Sequence, residues 1–296
     1  GEKPKNGIDF ATEEVNENKK MVEIIYEDSE GKSVKGVSAA QKLINVDKVQ
    51  ALFCQLSDVC SAIAPIAEEN KVVLFGFTST PGFTKTGDYI FNAREESIDP
   101  GKKFGKFASS KYKKVAILYL NNLTQKGFVE GFAQKFENGG GKVVFIEYHT
   151  SEQSDFRTPL LKAKNAQPDV LLFASRVANT VALIKQAREL NMDQPVLGPL
   201  GIDTKGFLDG VGNMGEGMIY PGTSIPIDNL NPDMKAKIQM YEKSYNEQMP
   251  YWAAESYDVV KILDLIARNA NKALTSGEIK DKVKSIRDFS GLTGIF

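Results

Sequence analysis

FCQLSDVCSAIAPIAEENKVVLFGFTSTPGFT, residues 53–84, decides the fold. Its pattern is strand, turn, helix, strand and a second turn. Small hydroxyl residues stand where each apolar strand runs out: Ser57 after ALFCQL, and Thr78, Ser79 and Thr80 after VVLFGF. In a parallel α/β sheet both turns lie on the carboxyl edge, where ligands bind. Ser57 occupies the position of a helix N-cap, so an anion placed there would meet free backbone N–H groups.

The same rhythm runs through most of the chain. Apolar runs at 21–27, 49–55, 71–77, 89–92, 114–120, 142–148, 169–174, 195–199 and 217–222 read as strands. Helical periodicity covers 8–19, 33–45, 57–69, 99–111, 124–138, 156–165 and 178–190, and 231–287 reads as mainly helical. Alternation of this kind, with unalternating apolar strands, predicts an α/β fold of doubly wound parallel sheets covered on both faces.

Composition sets the outer limits. The 296 residues suffice for two domains, and 42% apolar with 25% charged residues is the balance of a globular protein. A net charge of −1 with dispersed lysines argues against a nucleic-acid surface. Apolar runs such as VAILYL are far too short to span a bilayer. No signal-peptide pattern opens the chain, so the chain reads as cytosolic or already processed. Cys54 and Cys60 are the only cysteines; two free, partly buried thiols are the preferred reading, with a bridge left open. The lone histidine, His149, ends a strand and is expected at the surface. One histidine leaves no Ser-His-Asp, Cys-His or multi-His metal set, and no cofactor is expected.

Two breaks interrupt the pattern, near 93–100 and across YPGTSIPIDNLNP at 220–232, and predict an inserted second domain. The chain enters directly on an amphipathic helix and stops on the apolar run SGLTGIF. It is therefore expected to lack a first strand and a C-terminal segment.

Seven motifs fall in one order: GIDFATEEVN (7–16), Ser57 followed by IAPIAEE (63–69), TSTPGFT (78–84), VAILYLNNLTQKGFVEGF (115–132), SDFRTPLLKAKNAQPDVLLF (154–173), IKQARELNM (184–192) and SYDVVKIL (256–263). This order resembles the type I periplasmic solute-binding proteins of the branched-chain amino-acid transport class, the extracellular ligand-binding receptors of ABC importers. The resemblance covers essentially the whole chain. It implies two α/β lobes joined by hinge strands, closing on a ligand in the cleft between them. The first lobe would hold 1–95 and 226–289 and the second 96–225, with 290–296 a candidate for the second.

The resemblance places Ser57, Ser79 and Thr80 at the positions that grip an amino-acid α-carboxylate. Hydroxyls and helix N-terminal amides suit that task without a formal charge. The second lobe departs from the pattern. Lys126, before Gly127, and Arg176 stand where aromatic or small residues are usual, and Leu200 in GPLG stands where amino-acid binders often place an acid for the ligand ammonium. Removing one partner of such a buried pair costs roughly 2–5 kcal/mol. Asp203 or Glu255 could substitute for that acid. Phe53 replaces a usual glycine and either narrows the cleft or packs beneath it; Tyr220 and Trp252 are further aromatic candidates.

These readings predict an extracytoplasmic receptor, periplasmic or lipid-anchored, that delivers a small organic acid to the membrane subunits of an ABC importer. Aromatic acids are included and a monomer is expected. Amino-acid transport and a ligand-sensing domain of a signalling system are the alternatives. An enzyme would need paired acids, a metal set or a nucleophile–base pair, and no such motif is present.

Overall fold

A computed structural model describes residues 2–202, 204–268, 270 and 272–295. Contacts divide the chain into two units. One contains the residues up to Thr78, Gly82–Arg94 and those from Ser224 onward; the other contains Ser79–Pro81 and Glu95–Thr223.

The first unit opens with α1 (Glu2–Asn16) and α2 (Ser33–Asn45), followed by β1 (Ala51–Gln55), α3 (Ser57–Glu69), β2 (Val73–Phe77) and β3 (Ile90–Asn92). The strands form a parallel sheet in the order β1-β2-β3, with Leu52 opposite Leu74 and Leu74 opposite Ile90. Every residue of β2 is buried. Leu74 packs with Leu52, Ile63 and Ala64 on the α2–α3 face, and Val73, Phe75 and Phe77 form the core of the other face. A strand covered on both sides has no reason to alternate polar and apolar residues, which is why VLFGF reads as one apolar run.

The run 21–27, expected as a strand, has no regular secondary structure and joins no sheet among the described residues. Its first amides instead turn back to the Asn16 side chain: Met21 and Val22 donate to Oδ1 at 2.7 and 3.1 Å. Between this run and the outer edge of β1 lies a cavity of about 1730 Å³, lined by Met21–Glu27 and Val49–Gln55 among others. It reaches Phe53 but none of Ser57, Ser79 or Thr80. It runs along the strand edge up to Leu56 and Phe77, the residues that precede the two hydroxyl turns.

The second unit runs α4 (Ile98–Ser109), β4 (Lys114–Leu120), α5 (Leu123–Asn138), β5 (Lys142–His149), α6 (Arg157–Asn165), β6 (Val170–Ala174), α7 (Val177–Glu189), β7 (Val196–Leu197) and α8 (Lys205–Val211). Its sheet is parallel, in the order β5-β4-β6-β7. The expected strand at 217–222 contracts to a single bridge between Leu197 and Ile219. One face of the sheet packs on Phe128, Phe132 and Phe136 of α5, the other on Leu160, Leu183, Ile184 and Ala187 of α6 and α7. Helices α4 and α5 approach closely because Gly101 and Gly105 carry no side chain. A Cβ on either would lie 2.2 Å from the carbonyl oxygen of Phe128 or Phe132.

The chain then returns to the first unit as α9 (Pro232–Tyr245), α10 (Tyr251–Arg268), α11 (Ser276–Ser285) and a two-stranded antiparallel ribbon, β8 (Ser290–Gly291) with β9 (Gly294–Ile295). The assignment of 290–296 to the second lobe is not what the contacts give. Buried Asp258 of α10 accepts hydrogen bonds from the N–H groups of Leu292 and Thr293, at 2.7 and 2.9 Å, and from the Thr293 hydroxyl at 2.7 Å. Gly291 sits so close that a Cβ there would meet the Asp258 carboxyl at 2.5 Å. Residues 291–293 are thereby tied to α10.

Candidate ligand-binding site

The turn between β1 and α3 is built tightly. Leu56 has φ 71° and ψ 123°, a conformation that L-residues with a Cβ rarely adopt. It takes the N-cap position, so Ser57 is the first helical residue instead of the cap. Cys54 and Cys60 are joined by a disulfide, with Cα atoms 5.5 Å apart, which corrects the reading of two free thiols. The last residues of β1 and the first turn of α3 bring the two Cβ atoms within bonding reach, a geometry that sequence spacing alone leaves open. Within the same ring the Cys60 N–H donates to the Leu56 carbonyl at 2.9 Å.

Ser57 is half-buried, and its Oγ accepts a hydrogen bond from the Thr78 hydroxyl at 2.9 Å. Thr78 is in turn ordered by Asn92 at the end of β3, whose Nδ2 donates to the Thr78 carbonyl at 2.9 Å. The ends of all three strands of this sheet are thus linked through side chains.

Arg94 and Glu255 form the other polar feature of this unit. The Arg94 Nε donates to Glu255 Oε1 at 3.0 Å, and its Nη2 contacts Oε2. The guanidinium carbon lies 4.3 Å from the centre of the Trp252 ring. The Glu255 side chain is fully buried; burial raises its pKa, and the Arg94 contact opposes that rise. Both of its oxygens are engaged by Arg94. The charge of Glu255, offered above as a substitute for the acid missing at Leu200, is thus already paired with Arg94. Asp203, the other candidate, lies outside the described residues.

In the second unit Ser79 and Thr80 are buried, and the Ser79 carbonyl accepts the Ser97 N–H at 2.9 Å. The turn packs against Gly127, where a Cβ would meet the Pro81 ring at 2.5 Å and the Ser97 hydroxyl at 2.7 Å. Lys126 is exposed and stands 3.9 Å from Glu130, one helical turn along. Arg176 is exposed at the N-cap position of α7. Leu200 is half-buried in the turn after β7. Back in the first unit, Phe53 is half-buried, its ring 5.8 Å from Phe75 and 6.3 Å from Phe77, as a packing residue would be. Tyr220 packs against the core of the second unit.

His149 is not at the surface as expected; it is 2% exposed. Its Nδ1 faces the Thr150 carbonyl at 2.8 Å, its Nε2 faces the Ser175 hydroxyl at 2.5 Å, and Phe156 packs edge-on at 4.9 Å. Burial holds its pKa below the usual histidine range. A strand's last residue can point into the sheet's cover as readily as away from it, and here α6 supplies the cover.

Among the described residues no group of three or more His, Cys, Asp or Glu side chains could hold a metal ion. No helix among them is long and apolar enough to cross a membrane. Parallel α/β units whose strands end in hydroxyl-bearing turns have the form of a receptor that holds a small molecule at its loops. The chain belongs to the periplasmic binding protein family, whose sequence profile matches residues 1–296.

Among its relatives, the leucine-, isoleucine-, valine-, threonine- and alanine-binding protein of Pseudomonas aeruginosa is 25% identical over 288 residues, 92% of this chain and 74% of that protein. The branched-chain amino acid transporter substrate-binding protein LivJ of Streptococcus pneumoniae, solved with isoleucine, superposes with a TM-score of 0.83 at 26% identity, covering 100% of this chain and 86% of that one. A solute-binding protein of an ABC transporter from Rhodopseudomonas palustris, solved with 3,4-dihydroxybenzoic acid, shares the fold with a TM-score of 0.81 at 21% identity, covering 100% and 83%. The fold and the relatives are those of solute-binding receptors of ABC importers.

Proposed function

We propose that this receptor binds a small organic carboxylate lacking an α-amino group, with Ser57, Ser79 and Thr80 gripping the carboxylate. The observation that carries the reading is the engagement of Glu255 by Arg94, together with leucine at position 200. An ammonium bound without an acid partner would lose roughly 2–5 kcal/mol, or about 30- to several-thousand-fold in affinity. Arg176 would meet a second carboxylate or a planar ring, to which a guanidinium is suited, and Lys126 would add positive charge. The receptor would hand its ligand to importer membrane subunits outside the cytoplasm. The fold does not choose the ligand, since it holds isoleucine in one relative and 3,4-dihydroxybenzoic acid in another.

A second reading, an amino-acid receptor, is favoured by the names of the relatives at 25–26% identity. Mass spectrometry of co-purifying small molecules, followed by calorimetry with benzoate, 4-hydroxybenzoate and leucine, separates the two. Tight leucine binding with no response to the acids would reverse the choice.

A further inference from the structure

We propose that the Cys54–Cys60 disulfide is a positioning device that holds the Leu56 turn and so aims Ser57 and the first N–H groups of α3. As a contribution to binding, this rests on the reading of Ser57 as a carboxylate contact. As a statement about the turn, it does not.

The turn is one this sequence would leave if released. Leu56 sits at φ 71°, where its Cβ crowds the backbone and where glycine is the ordinary occupant. Strain of this kind disfavours a conformation by roughly ten- to a hundredfold and persists only where the surroundings over-determine it. Burial supplies little of that determination, because Leu56 is 57% exposed. A Cβ added to Gly31 would lie 3.4 Å from the Leu56 Cδ1. No side chain caps the helix at this position.

The constraints lie at the two ends. Cys54 is 6% exposed in β1 and Cys60 is fully buried in α3, and both belong to one core cluster with Leu52, Ile63 and Leu74. The disulfide therefore ties two buried points and leaves only residues 55–59 between them. The Cys60 N–H bond to the Leu56 carbonyl closes the same ring a second time, and the Thr78 hydroxyl fixes Ser57 from β2. If Leu56 relaxed to negative φ, the peptide that carries the Ser57 N–H would rotate. The hydroxyl and the helix-start amides would no longer point where they do now.

The test compares the bridged protein with Cys54→Ala/Cys60→Ala, and with Cys54→Ala/Cys60→Val in case the smaller residue leaves too large a void at the buried position. Each pair is made with and without Leu56→Gly. Amide hydrogen exchange is read without ligand, and affinity is read with benzoate as probe. Loss of the bridge should speed exchange of the residue-60 N–H, which donates to the Leu56 carbonyl, by roughly tenfold or more while 63–69 change little. Leu56→Gly should then recover at least half of the lost protection on a logarithmic scale, because glycine accepts positive φ without a Cβ clash. Benzoate affinity should follow the exchange.

Unchanged exchange at residue 60, or a loss that Leu56→Gly does not repair, would overturn the proposal. Changed exchange with unchanged benzoate affinity would overturn its link to binding. Failure of benzoate to bind even the bridged protein would count against the carboxylate reading alone, with the exchange experiment still deciding the role of the bridge.

Discussion

The Arg94 guanidinium engages both carboxylate oxygens of Glu255, from a position 161 residues away in sequence, and lies over the Trp252 ring. It spans from the end of the first unit's sheet to α10, and its partner has no access to water. Arg94→Ala would leave that carboxylate buried and unpaired, which costs about 3–5 kcal/mol. Glu255→Gln, which removes the charge but keeps an oxygen for Arg94, should cost less. Urea unfolding of the two variants checks the order; equal losses would mean that the charge is not the issue.

Asp258 makes stability depend on pH in an unusual direction. Burial outweighs its three hydrogen bonds and lifts its pKa to about 6, against 3.8 for an ordinary aspartate. The folded state therefore holds the proton more tightly than the unfolded state. Between about pH 4 and about pH 6 this group's contribution to stability falls as pH rises. Asp258→Asn should remove that slope. Thermal melts across the range for both proteins test it, and an unchanged slope in the variant would assign the effect elsewhere.

His149 behaves in the opposite sense. Its folded pKa is depressed by burial, so its contribution is complete above the unfolded value and is lost as pH falls through the folded one. The Thr150 carbonyl can only accept, so Nδ1 carries the proton and Nε2 accepts from Ser175. As the only histidine in the chain, it gives a single imidazole signal. Nitrogen-15 NMR should show the Nδ1–H tautomer and a midpoint below 6.5. The Nε2–H tautomer would refute the arrangement.

For the ligand grip, Ser57→Ala with Thr80→Ala should weaken binding of the native ligand by roughly tenfold or more, from the loss of two hydroxyl contacts. Leucine, isoleucine and valine should give no thermal stabilisation. Unchanged affinity in the double variant would remove the hydroxyls from the site. Strong stabilisation by any of the three amino acids would restore an ammonium partner that Leu200 does not supply.

Lys126 offers a control. Its pairing with Glu130 is long, at 3.9 Å, and each side chain is 58% exposed. Lys126→Ala should change the unfolding free energy by less than about 0.5 kcal/mol. An effect on ligand affinity without one on stability would bring this side chain to the ligand.

What could be read in the sequence was what local chemistry controls. The α2 and α3 ranges and the β4 range match their apolar periodicity because burial on one or both faces is written residue by residue. The run 21–27 has the composition of a strand, but pairing is a property of a neighbour and not of the run itself. The disulfide, the positive φ of Leu56 and the Arg94–Glu255 pair were not legible for the same reason. Each depends on where distant or differently oriented backbone places a side chain. The short helix α8 was missed because Lys205–Val211 has two glycines and little periodicity. Its one cue was Thr204, whose side chain caps Phe207.

The uncovered flank of β1 has a consequence for how far its sheet can extend. ALFCQ carries no charge and no proline, and among the described residues its sheet partner lies on one side only. Such a flank offers unsatisfied backbone groups to any extended chain, and natural proteins blunt theirs with lysine, bulges or a covering segment. Here the run 21–27 lies across the cavity from this edge, with Glu23 and Glu27 among the lining residues, and no strand among the described residues pairs with it. The backbone groups on that side of β1 are those with which a further strand would pair, so the sheet can still grow by one strand there.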